Sequence, residues 1–113
     1  MFLDLLGRRV ALKNYSGYVA GLDTKANTTG LETYVSEFQG FPITFLVSTM
    51  LPFHEGANEQ VGRKRHVGNS SVTFVFQEPD ALPFEVDSIL SRFQQVFIVI
   101  RLLKSNGPLP QYR

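Results

Sequence analysis

The densest cluster of residues able to do chemistry is a basic run followed closely by an asparagine. The run is Arg63, Lys64, Arg65 and His66, and Asn69 stands three residues beyond His66. If a helix continues through this stretch, His66 and Asn69 share a face. A carboxamide at an exposed helix end can reach into a partner's cleft. An asparagine in this position is also typical of a turn that tolerates positive φ.

The basic run by itself is compatible with three interpretations. Cations favour the C-terminal end of a helix, so the run fits a solvated helix terminus. It also fits a contact with a protein or phosphate group, or a small nucleic-acid patch. The net charge is only +1, so no global field attracts nucleic acid or an anionic membrane. Residues 55–69 contain no Phe, Tyr or Trp on which bases would stack, which makes nucleic acid the weakest of the three.

The sequence lacks the side-chain sets of several common catalytic centres. It has no cysteine, which excludes a thiolate nucleophile and a cysteine-ligated zinc site. His54 and His66 are the only histidines, and Glu55 and Glu59 have the i, i+4 spacing of two solvated carboxylates on a helix. A phosphate-binding loop and a serine nucleophile elbow are also absent. We therefore expect the chain itself to bind no metal or cofactor.

The elements that must position the basic run alternate between strands and helices. The strands are expected at residues 8–13, 33–38, 43–49, 72–76 and 96–103, the helices at 57–67 and 85–93, and a loop at 14–31. Strands joined by helical connections favour an α/β fold with a mixed β-sheet flanked by helices on both faces. In this arrangement 43–49, 71–77 and 95–103 are neighbouring strands of one sheet.

Length and apolar character indicate a single domain that is cut short. The chain has 113 residues, enough for one modest core. The run 96–103 is apolar on both faces, as in a central strand, yet it lies close to the end of the chain. We therefore interpret 1–113 as a partial domain, truncated after Arg113, with exposed apolar surface on the last strand. Asp4 argues against a signal peptide and the run 96–100 is too short to span a bilayer, so we expect a cytoplasmic location.

Six segments carry a further signal because of their order along the chain. They are FLDLLG at 2–7, GLDTK at 21–25, FLVSTMLP at 45–52, RKRHVGN at 63–69, VTFVFQE at 72–78 and FQQVFIV at 93–99. Together they resemble the catalytic domain of Rap-type GTPase-activating proteins, over residues 2–103. The sequence of residues 48–52 is most similar to that of the spine-associated and signal-induced Rap activators.

The resemblance implies a role for Asn69. In this family a similar segment carries an "asparagine thumb", which is inserted into the active site of the GTPase, where its carboxamide orients the attacking water. Rap lacks the catalytic glutamine of other small GTPases, so the activator supplies an equivalent group in trans. GTP hydrolysis depends on such positioning and on charge stabilisation rather than on covalent help from the protein. By this resemblance GTP and Mg²⁺ belong to the partner, and the chain is an activator that turns over no substrate itself.

The same resemblance assigns the neighbouring residues to the GTPase interface. His66 matches a histidine that shapes or contacts the interface, and Lys64 and Arg65, with Arg63 before them, match basic residues close to the bound GTPase. Ser70 departs from the family pattern, in which aspartate usually follows the asparagine. The implied partner is a Rap-like small GTPase. The alternatives are a module of the same fold that binds the GTPase without accelerating hydrolysis, and a small basic-patch protein that binds nucleic acid.

Overall fold

The chain divides into two units, each built around a three-stranded sheet. A computed structural model describes residues 2–52, 60–88, 93–104 and 107–113. The units are Met1–Arg63 and Lys64–Arg113. The boundary between them falls inside the helix that carries the basic run.

The sheet of the first unit is antiparallel throughout. Its strands, in spatial order, are β1 (Arg8–Ala11), β2 (Glu32–Phe38) and β3 (Phe41–Phe45), and a short helix, α1 (Phe2–Leu6), precedes them. β2 and β3 form a hairpin whose two loop residues, Gln39 and Gly40, have φ values of 51° and 82°. Loops of two residues with positive φ match the twist of the flanking strands, so Phe38 and Phe41 can pair directly across the turn.

The apolar core of the first unit is small. One cluster of it consists of Leu12, Leu22 and Leu51, with Val19 and Leu46 partly buried against it, and β1 and β2 add the buried side chains of Val10, Tyr34 and Val35. Two of the three buried leucines belong to the connection between β1 and β2, and the third follows a 3₁₀ turn at Ser48–Met50. The core therefore joins the long connection to the segment that leaves β3.

Hydrogen bonds to one carboxylate order the connection between β1 and β2. The Asp23 carboxylate accepts the main-chain N–H groups of Lys25, Ala26 and Thr28 at 2.8–3.2 Å, and the Thr28 hydroxyl donates to it at 2.7 Å. These donors, the Thr28 N–H first, hold the pKa of Asp23 well below its ordinary value. Residues 14–31, expected from their Gly, Asn and Thr content to be a loop, are therefore a loop with a fixed conformation.

The second unit has a mixed sheet. Its elements are the C-terminal half of α2 (Gln60–Gly68), β4 (Val72–Gln77), a 3₁₀ turn at Val86–Ser88, β5 (Val96–Leu103) and β6 (Gln111–Tyr112). β4 and β5 are parallel, with Val72 opposite Val96, and β6 is antiparallel to β5. The side chains that are buried in the described part of this unit are all polar, namely Thr73, Gln77 and Gln94.

The α/β class predicted from the sequence is confirmed, but the sheet arrangement needs a correction. Residues 43–49 do not lie beside 71–77, because β3 begins two residues earlier and pairs only with β2 in the sheet of the first unit. The two-residue turn starts β3 at Phe41. The chain then leaves the sheet after Phe45, which allows Leu51 to enter the core.

The predictions for the two helices and for the last strand agree with the structure to different extents. The first helix, expected at 57–67, is found as α2 from Gln60, and residues 57–59 lie outside the described residues. Of the second, expected at 85–93, the structure shows a 3₁₀ turn at Val86–Ser88, and 89–92 lie outside the described residues. Residues 96–103 are apolar on both faces, as is typical of a central strand, yet no residue of β5 is buried. The exposed apolar surface expected there is confirmed: Val96 and Ile98 are 47% and 40% exposed.

The close contact between Gly30, at the end of the connection between β1 and β2, and Met50 can be tested by substitution. The φ of Gly30 is 108°, and a Cβ there would lie 2.5 Å from the Met50 carbonyl oxygen. We expect Gly30→Ala to lower the free energy of unfolding by more than about 1 kcal/mol, measured by denaturant titration. Gly21→Ala is the matched control, because Gly21 also has positive φ, 84°, but a Cβ there meets nothing within 4 Å. Equal losses in the two variants would contradict a role for the Met50 contact.

Asp23 makes stability depend on pH. Because its pKa is lowered in the folded chain, its contribution is complete above the unfolded value of about 3.9 and is lost as the pH falls through the folded pKa. We expect the difference in thermal midpoint between wild type and Asp23→Asn to be constant from about pH 7 to 5 and to shrink below about pH 4. Asp87→Asn, at an exposed carboxylate, is the control. A difference that persists unchanged at low pH would contradict this assignment.

Candidate functional site

The predicted site residues fall in α2, from Arg63 onwards, and in the turn that follows it. The helix contains the whole basic run, and Asn69 is the first residue beyond its last residue, Gly68. Lys64 and Arg65 are exposed, whereas His66 is half-buried. His54, Glu55 and Glu59, the other titratable residues considered from the sequence, lie outside the described residues.

Asn69 continues the helix through its main chain and leaves its side chain exposed. Its N–H donates to the Arg65 carbonyl oxygen at 3.2 Å, which adds one more i→i−4 bond to the helix. The next N–H, of Ser70, donates to the Val67 carbonyl oxygen at 3.2 Å. Among the residues that the structure describes, none forms a hydrogen bond with the Asn69 carboxamide.

Helical spacing brings two of the predicted contact residues to the side of Asn69. Arg65 and His66 precede it by four and three residues, so the three side chains share one face. Lys64 precedes it by five residues and lies about 140° away around the helix axis. Arg65 and His66 therefore lie on the same face of the helix as Asn69, whereas Lys64 lies on another face.

Arg63 has contacts with the body of the first unit. Its guanidinium is half-buried and donates to the Leu51 carbonyl oxygen twice, from Nε at 3.2 Å and from Nη2 at 2.8 Å. Leu51 is one of the three core leucines. The Arg63 side chain therefore attaches the N-terminal part of α2, which belongs to the first unit, to the core of that unit.

A buried glutamine that the sequence did not single out lies against the end of α2. Gln94 is 7% exposed, and its Nε2 donates to Thr73 Oγ1 at 3.0 Å and makes a longer contact, 3.5 Å, with the Val67 carbonyl oxygen. Its Oε1 is buried, and no donor reaches it from the described part of the chain. A buried acceptor without a partner costs about 1–3 kcal/mol. The two oxygens facing Nε2 fix the orientation of the amide, since only the NH₂ group can face both.

Among the described residues, no three His, Cys, Asp or Glu side chains are grouped as a metal would require. No helix in the same ranges has the length and apolar character needed to cross a bilayer.

Several proteins are similar to this chain in sequence. The family model described as Rap/ran-GAP matches residues 1–113. Mouse signal-induced proliferation-associated 1-like protein 3 is 48% identical over 101 residues, which are 89% of this chain and 6% of that protein. Mouse signal-induced proliferation-associated protein 1 is 46% identical over 112 residues, which are 99% of this chain and 11% of that protein. The chain therefore spans only a small part of the length of these relatives.

A solved structure extends the comparison to the fold. The structure of the TSC2 GAP domain superposes with a TM-score of 0.83 at 30% sequence identity, covering 99% of this chain and 63% of that chain. The resemblance carried by the six ordered segments is thereby confirmed at the level of the family. On the family model, the identity to relatives and the shared fold together, the chain belongs to the Rap/ran-GAP family.

Proposed function

We propose that the chain stimulates GTP hydrolysis by a Rap-like small GTPase and that Asn69 is the group it contributes in trans. The observation that carries the proposal is the exposed Asn69 carboxamide at the end of α2, which has no hydrogen-bond partner among the described residues. Membership of the Rap/ran-GAP family supports the class of activity, and the solved relative is named as a GAP domain. The cytoplasmic location expected from the sequence stays a prediction.

A carboxamide has the chemistry that this role needs. Its oxygen accepts a hydrogen bond from the attacking water, and its NH₂ group offers two donors. In the proposed complex the oxygen orients the water towards the γ-phosphate, while GTP and Mg²⁺ are bound by the GTPase. The group is neutral, so it brings no further negative charge to the phosphates. A stimulation of about 10⁵-fold corresponds to about 7 kcal/mol of barrier.

The basic run contributes to docking in this proposal. Arg65 and His66 share the face of Asn69, so they contact the GTPase beside the inserted carboxamide. Lys64 lies on another face and acts mainly through its longer-range charge. Arg63 is bound to the Leu51 carbonyl oxygen, and it contributes by holding the N-terminal part of α2 in place.

The first test removes the proposed thumb. We expect Asn69→Ala to return GTP hydrolysis by a Rap-type GTPase to its intrinsic rate in single-turnover assays at saturating activator, because the attacking water loses its orienting acceptor. The thermal midpoint of the chain should not change, since the side chain has no described partner. Gln95→Ala, which removes another exposed carboxamide of the same unit, is the matched control.

Two other outcomes of this assay have clear meanings. If Asn69→Ala lowers the thermal midpoint and leaves the stimulated rate unchanged, Asn69 is a structural turn residue and the proposal is wrong. If the wild-type chain binds the GTPase without raising the hydrolysis rate, the binding-only alternative holds instead.

The second test separates docking from catalysis. We expect Arg65→Ala to raise the activator concentration needed for half-maximal stimulation by roughly 2- to 5-fold at low salt, the range for exposed charge pairs, and Lys64→Ala to raise it less. Both effects should weaken towards about 0.15 M salt, because exposed charges are screened. Lys104→Ala removes an exposed cation that pairs with Asp80 at 2.7 Å and is the control. An effect of Lys64 larger than that of Arg65 would contradict the helix-face assignment.

A further inference from the structure

The end of α2 that carries Asn69 has little apolar surface with which to pack. Between Lys64 and Gly68, Val67 is the only large apolar residue in the sequence. A helix end held so weakly would change direction easily. An error of about 1 Å in the position of a catalytic group can lower a rate on the order of 10²-fold, so an inserted group needs a firmer support.

The segment at the start of β5 supplies contacts on both sides of Asn69. On the C-terminal side, the N–H groups of Gln95 and Val96 both donate to the Ser71 carbonyl oxygen, at 2.9 and 3.0 Å. On the N-terminal side, the Gln94 amide nitrogen lies 3.5 Å from the Val67 carbonyl oxygen, and Thr73 Oγ1 holds that nitrogen at 3.0 Å. The turn from Val67 to Ser71 is thus held before and after Asn69.

We propose that Gln94 is a positioning residue for Asn69, an inference that rests on the proposed function. Its NH₂ group, anchored by Thr73, faces the Val67 carbonyl and fixes the last turn of α2, and this turn sets the direction in which Asn69 meets the GTPase. A donor suits this position, because an oxygen facing the Val67 carbonyl would repel it and an apolar side chain would remove this contact, leaving only the Ser70 N–H. The burial of Oε1 without a described partner indicates that the donor side of the amide determines how Gln94 lies.

The test compares Gln94→Met with Gln77→Met in single-turnover GTP hydrolysis by a Rap-type GTPase, over a range of activator concentrations. Gln77 is 5% exposed, and its Nε2 donates to the carbonyl oxygens of Ala81 and Leu82, away from α2. Gln94→Met should lower the maximal stimulated rate on the order of 10²-fold and leave the half-maximal concentration nearly unchanged, because the docking residues remain. Gln77→Met should lower the thermal midpoint by a similar amount and leave both kinetic quantities unchanged.

Hydrogen exchange provides a readout that does not depend on activity. The amide protons of Asn69 and Ser70 should exchange faster in Gln94→Met than in wild type or Gln77→Met, because the carbonyls that accept them lie in the loosened turn. If Gln94→Met does not fold, Thr73→Val decides the question. It removes the anchor of Gln94 with little change in volume and should give the same pattern to a smaller degree.

The outcomes separate this inference from the function it rests on. One outcome is that Asn69→Ala is inactive while Gln94→Met has the wild-type stimulated rate and wild-type hydrogen exchange. This result would overturn the role of Gln94 and leave the proposed function intact. An Asn69→Ala chain with full stimulation overturns the proposed function and, with it, the positioning role of Gln94. Equal loss of maximal rate in Gln94→Met and Gln77→Met also overturns the inference, because the effect would then be one of general stability.

Discussion

Contacts from side chains to main-chain carbonyls are the directional interactions that the structure shows along α2. Apolar burial stabilises in proportion to area but carries little directional information. A helix that must keep a polar face open to a partner has little area to bury. In the first unit the Arg63 guanidinium holds the Leu51 carbonyl, and in the second Gln94 lies against the Val67 carbonyl. Each such bond contributes only about 0.5–1.5 kcal/mol, but it defines a direction.

The two units use different means to bury their interiors. The first has a leucine core, and its long connection is ordered by donors to one carboxylate. In the described part of the second, the buried side chains are a threonine and two glutamines, and both glutamines donate to carbonyls of neighbouring turns. A buried polar group is stable only where its partners are fixed. The second unit therefore depends on accurate turn geometry, which is also what an inserted catalytic group requires.

The sequence predicts the local elements well and the long-range contacts poorly. β2, β4 and β5 can be predicted because runs of β-branched and aromatic residues are local signals of strands. The basic run with Asn69 can be predicted as a site because the segments around it occur in the same order as in the family. The pairing of β3 with β2 could not be predicted in the same way, because periodicity does not indicate which strands are neighbours in a sheet. Gln94 could not be distinguished from Gln95 either. The two are identical and adjacent, and only the tertiary structure buries one and exposes the other.

The position of Asn69 at a C-terminal helix end has an electrostatic consequence for the proposed complex. The unsatisfied carbonyls of a helix C-terminus carry a partial negative charge, which is unfavourable beside the phosphates of GTP. Two of these carbonyls, of Arg65 and Val67, already accept the N–H groups of Asn69 and Ser70, so the Asn69 side chain is not needed to cap the helix. The cationic side chain of Arg65 in the last turn offsets the remaining partial charge. In the proposed complex Arg65 would therefore compensate the charge of the helix end and that of the phosphates at once, which gives a physical reason for a cation on the same face as a neutral carboxamide.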